Sequence, residues 1–116
     1  MEQRLVDLDV LADRLQSVVE EWRRVVDVGP LTWRDDEGGW PRAITPDRAS
    51  VRTPDSLGLI VRKRNGDDAL EIVVYAGGWA DVESLIGLEV YTACPEFQDE
   101  DGAYSAVVSG VADFLA

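Results

Sequence analysis

Histidine is absent from the chain, and that absence limits its chemistry more than any residue present. It removes the commonest general base, the usual zinc ligand and the Ser-His and Cys-His nucleophile pairs. Carboxylates remain as acid–base groups. Glycoside-type hydrolysis needs two of them at a defined separation, one with a raised pKa. Glu71, Glu83 and Glu89 are the candidates, but they fall on segments that alternate like strands, with the acids on the solvent side. That pattern reads as a charged sheet face, not a desolvated catalytic pair.

The run from Glu96 to Gly102 offers several oxygens to a cation such as Ca²⁺. It lacks the alternate acids, central glycine and late glutamate of an EF-hand loop. The run Asp35-Asp36-Glu37 reads the same way, as a solvated acidic loop. Gly38-Gly39 and Gly77-Gly78 match neither the dinucleotide fingerprint nor the phosphate loop, and read as turns. Cys94 stands beside Pro95 among neutral and acidic neighbours, which disfavour a thiolate, so it is expected to be a buried structural thiol. No metal, no cofactor and no enzymatic activity are expected.

The basic stretch Arg62-Lys63-Arg64, with Arg42, Arg48 and Arg52, would suit a phosphate or an acid. The reading adopted is pairing with the acidic C-terminal half, with Arg62 and Arg64 on the solvent side of their strand. Of four tryptophans, Trp22 belongs to a helical stripe and is assigned to the core. Trp33, Trp40 and Trp79 lie beside turns or strand ends, where an aromatic ring either closes the sheet or anchors a partner.

Charge is the dominant compositional feature, at −12 overall. Residues 42–64 carry six basic and two acidic groups, whereas residues 65–116 carry eleven acidic groups and no basic ones. Such a balance repels phosphate backbones and anionic membrane surfaces, and favours a basic protein partner by long-range attraction. It also keeps a protein soluble. The single cysteine excludes an internal disulfide and fits a reducing cytoplasm. No apolar run near the start suits a secretory signal, and none is long enough to span a membrane.

The elements that must position these residues read as one domain over 1–116. Leu8, Leu11, Leu15, Val18, Trp22 and Val25 repeat at helical spacing, which predicts a helix over about 8–27, capped by Asp7 or Asp9 and stopped at Gly29-Pro30. Leu31–Trp33 is a short apolar piece before a turn or exposed loop. Residues 41–56 hold three prolines and read mostly as loop, with a short edge strand near 49–53. Residues 57–62 and 70–75 alternate around Asn65-Gly66, a hairpin signal. Trp79–Ile86 is strand or one helical turn, with strand preferred at its start. Leu88–Thr92 is a strand, residues 96–102 an acidic loop, and Tyr104–Leu115 a second amphipathic helix. The expected fold class is α+β: an antiparallel meander of three to five strands, with both helices packed on one face.

The function expected from these readings is an acidic protein–protein binding module. In size and charge the chain resembles small bacterial immunity proteins; the resemblance is one of composition, carried by no motif. An inhibitor or antitoxin-like protein would occlude a basic surface of a toxin or effector, acting as monomer or homodimer. The contacts expected are Asp35, Asp36, Glu37, Trp40, Trp79, Asp99, Glu100 and Asp101. The alternatives are a secretion chaperone or adaptor, a small-molecule binder or carboxylate enzyme, and a DNA mimic.

Overall fold

The computed structural model describes residues 4–37 and 43–116. Helix α1 runs Leu8–Trp22. Asp7 caps it, its carboxylate accepting from the backbone N–H groups of Asp9 and Val10 at 3.0 and 3.2 Å. The other candidate cap, Asp9, is engaged by Arg48 instead. Leu8, Leu11, Leu15 and Trp22 of the predicted stripe are buried, with Ala12 and Val19 beside them, whereas Val18 is half-buried and Val25, beyond the helix end, is exposed. Each fully buried leucine there stabilises the fold by about 1.5–3 kcal/mol.

The helix ends at Trp22, short of the expected residue 27. The cause is competition for backbone. Asp27 and Val28 form strand β1, paired with Arg62 and Val61. A segment bonded to a sheet edge cannot also continue a helix. Arg64 then serves the abandoned helix end, donating to the carbonyls of Arg23, Arg24 and Val26 and to the Asp27 carboxylate.

The remaining strands are β2 (Thr32–Asp35), β3 (Ile44–Thr45), β4 (Pro54–Arg62), β5 (Ala69–Tyr75), β6 (Trp79–Ile86) and β7 (Glu89–Ala93). Their order is β3-β2-β4-β5-β6-β7, with β1 also on β4, and every pairing is antiparallel. The described sheet thus has seven strands, not the expected three to five. The additions come from the expected helix end, the short apolar piece and the proline-rich loop: β1 and β2 line one edge of β4, and β3 folds back on β2. Residues 48–50 form a single 3₁₀ turn rather than part of an edge strand. Trp79–Ile86 is strand throughout, because its first seven residues each have a partner on β5 and its last pairs with Glu89 of β7.

Helix α2 covers Glu100–Leu115, with Asp99 as its cap. It therefore takes in the end of the expected acidic loop. Both helices lie over one face of the sheet. That face carries Leu57, Leu59 and Val61 of β4, Leu70, Ile72 and Val74 of β5, and Trp33 of β2, all buried. Gly78 permits the crossing where the chain enters α2. Its φ is +101°, and a Cβ there would stand 2.7 Å from the Phe97 carbonyl oxygen, while its own carbonyl accepts the Phe97 N–H. Among the described residues, no helix is long and apolar enough to cross a membrane.

Candidate functional site

Among the described residues, no helix lies over the opposite face of the sheet. Strand alternation sends every second residue there, and register fixes who stands beside whom. One row across the strands is Arg34, Ser56, Tyr75 and Trp79. The next is Thr32, Gly58, Val73 and Asp81. A third is Ile60, Glu71, Glu83 and Thr92. All of these but Trp79 line a groove of about 570 Å³ whose rim reaches Cys94. Gly58 sets its floor: a Cβ there would stand 2.4 Å from Thr32 Oγ1.

Glu71 and Glu83 are directly opposed on neighbouring strands, and both are exposed. No ion pair among the described residues engages either one. Carboxylates so placed stand roughly 5 Å apart at Cβ and destabilise the sheet. Asp81 lies on the same face and accepts from the Tyr75 hydroxyl and the Cys94 thiol, each at 3.5 Å. Tyr75 stacks on Trp79, ring centroids 4.1 Å apart and planes 15° from parallel. Trp79 remains 40% exposed. Arg34 is half-buried; its Nε is buried without a hydrogen-bond partner.

Two of the groove's groups, Tyr75 and Cys94, are held toward their protonated forms. The Asp81 carboxylate, accepting the Cys94 S–H, pushes that thiol above its ordinary value, with desolvation adding to it. Burial, then the charge of Asp81, pushes the Tyr75 phenol up. Neither group is an activated nucleophile. Cys94 is exposed, not the buried structural thiol expected, because its side chain stands beside Asp81 on the open face of the sheet. Among the described residues no three acidic or thiol side chains converge as a metal cluster.

The residues expected to contact a partner are gathered toward one end of the sheet but mostly serve the fold. Asp35 accepts from the backbone N–H groups of Glu37, Arg52 and Thr53, which holds its carboxyl below the usual range, the Arg52 bond being the largest cause. Asp36 pairs with Arg4 at 3.9 Å. Glu37 accepts from the Thr53 hydroxyl. Asp99 caps α2, accepting the Gly102 N–H at 2.8 Å. Glu100 accepts the Asp7 N–H at 3.0 Å, and Asp101 pairs with Arg14. Trp40 lies outside the described residues. Among the described residues of the set, Trp79 alone stands on the open face.

No family model, curated protein or solved structure matches the chain.

Its chemistry is therefore read from geometry alone. Two cations of the basic stretch, Arg48 and Arg64, are taken up internally, though not by the expected acids. Arg48 grips Asp9 with two nitrogens at 2.7 and 2.9 Å and lies over the Trp33 ring, and Arg64 pairs with Asp27. Both partners belong to the N-terminal half, because α1 and β1 border the segment that carries these cations. Trp33 is core, packed beneath that arginine. The C-terminal carboxylates Glu71 and Glu83 are consequently left without cations. Sequence reasoning recognised that they face solvent, but not that they face each other. Only register supplies that fact.

Proposed function

We propose that this chain is a binding module for a basic protein, an inhibitor or immunity-type partner that occludes a cationic surface with the uncovered face of its sheet. The observation that carries the reading is the opposed Glu71–Glu83 pair on that face. A partner's lysine or arginine placed between them would replace repulsion with attraction. The adjoining Tyr75–Trp79 stack offers a ring face to a second cation and an apolar anchor at the centre of an interface. Protonated Tyr75 and Cys94 suit recognition better than catalysis. A reducing cytoplasmic location accords with the single exposed thiol.

Affinity capture from the source cells tests this, comparing the native chain with the Glu71→Lys, Glu83→Lys double variant. The native chain is expected to retain a basic protein that the folded variant loses. Capture of acidic proteins only, or equal capture by both, overturns the reading.

A second reading, a small-molecule binder, draws on Arg34. A groove of about 570 Å³ is large enough for a metabolite, and the orphaned Arg34 Nε calls for an acceptor. Soaking with small carboxylates and following the Arg34 Nε resonance by NMR separates the two readings.

A further inference from the structure

The two edges of the sheet are treated differently. On one side the outermost pieces, β1 and β3, are two residues each, and strands that short offer little to pair with. On the other side β7 is five residues long and exposed at every position. Among the described residues, its outer edge has no neighbouring strand. The chain beyond it turns inward and pairs with the start of β6, through the Trp79–Glu96 bridge and the Ala80 N–H to the Pro95 carbonyl.

The β6–β7 turn defines which backbone groups that edge presents. Gly87 and Leu88 have φ of +58° and +71°, the left-handed pair of a type I′ hairpin. Such a turn directs the Glu89 N–H inward to Ile86, its register partner. Alternation along an antiparallel strand then points the N–H and C=O of Val90 and Thr92 outward.

The side chains at this corner are apolar. Leu88 is 84% exposed and Val90 60%, and Tyr91 and Ile86 are exposed beside them. Leucine at positive φ is itself disfavoured, where glycine or asparagine would sit without strain. A strained, exposed leucine at a hairpin tip serves nothing in the folded chain. Behind β7, between α2 and β6, lies a groove of about 580 Å³ lined by Val82, Ile86, Ala106, Gly110, Phe114 and Asp113.

We infer that β7 accepts an extended segment of the basic partner as an eighth strand, one in which lysine or arginine alternates with apolar residues. This rests on the reading given under Proposed function and adds how the partner is held. Charge selects the occupant. Residues 65–116 contain no lysine or arginine, so the charges carried by β6, β7 and α2 are all carboxylates, including Glu83, Glu89 and Asp113, while Lys63 lies over the Phe114 ring at 5.0 Å near the end of α2. A second copy of the chain would bring another −12 to the same edge. The pleat selects the pattern. An added residue opposite Thr92 lies on the open face, two strand spacings or roughly 9–10 Å from Glu83, within reach of a lysine. Its neighbours turn to the other face, toward Tyr91 and the apolar groove.

The test uses the full chain and a capped peptide of about eight residues alternating lysine and valine, the length of an ordinary strand. Backbone amide exchange is followed by NMR. The peptide is expected to slow exchange at Val90 and Thr92 about tenfold or more, as added hydrogen bonds protect them. N-methylation along one edge of the peptide removes that protection, and along the other edge leaves it. Leu88→Asn, which suits the turn, remains folded and weakens binding about tenfold by removing an apolar anchor.

Binding that survives both methylation patterns, or that protects residues near Glu71 and Trp79 but not β7, overturns strand addition while leaving the basic-partner reading intact. Equal binding of a glutamate–valine peptide overturns the cationic occupant and, with it, that reading. Concentration-dependent protection of Val90 and Thr92 without peptide assigns the edge to a second copy and overturns the inference, as does a failure of the lysine–valine peptide to protect them.

Discussion

Among single residues, Cys94 shows most clearly how a local contact sets reactivity. Its thiol is open to solvent, yet it donates to Asp81. A raised thiol pKa means less thiolate at a given pH, and thiolate is the reacting form. Iodoacetamide is therefore expected to modify Cys94 more slowly than a free thiol at pH 8, despite full access. Asp81→Asn removes the negative charge that retains the proton, so the pKa falls and alkylation quickens several-fold. Mass-spectrometric rates over a pH series check this; equal rates in the two proteins would dismiss Asp81 as the cause. The acidic sequence neighbours of Cys94 pointed to a disfavoured thiolate, the direction in which Asp81 also acts. Its exposure could not be read from them, because burial depends on whether another element lies above.

At the level of elements, the junction between α1 and the sheet depends on Arg64. Its guanidinium collects carbonyls that the end of α1 leaves open, and it also pairs with Asp27 of β1. A cation at a helix C-terminus contributes about 0.3–1 kcal/mol when exposed. Arg64→Ala is expected to destabilise the protein by about 1 kcal/mol, and Arg64→Lys by less than that but measurably, since an ammonium cannot span the same set of acceptors. Urea unfolding gives the differences. No change in the alanine variant would reduce these contacts to incidental ones. The helical stripe of α1 and the Asn65-Gly66 hairpin were legible in advance, because each is a local periodicity. The early end of α1 was not, because its cause lies at Val61 and Arg62, far along the chain.

For the whole molecule, charge acts on stability and association in opposite directions. A net charge of −12 with one half wholly acidic repels itself in the compact state. Added salt screens that repulsion. The melting temperature is therefore expected to rise between about 20 and 300 mM NaCl, where the Debye length shrinks from roughly 20 to 6 Å. Binding of the basic partner is expected to weaken over the same range, chiefly through slower association. Calorimetry and stopped-flow mixing follow the two effects. A melting temperature that falls with salt would mean that the ion pairs of Arg14, Arg48 and Arg64 outweigh the repulsion.

The amino-acid sequence alone determined the absence of histidine chemistry, the acidic surface, the two amphipathic helices and the central hairpin. These follow from composition and from periods of two and 3.6 residues, which need no knowledge of distant contacts. The tertiary structure alone decided that Asp35, Asp99, Glu100 and Asp101 would serve as caps, turns and pairs. It also decided that Glu71 would confront Glu83 and that, among the described residues, no helix would cover one sheet face and no strand would pair with the outer edge of β7. Each of these depends on strand register and on where the helices settle, and both are set by the packing of segments remote in sequence.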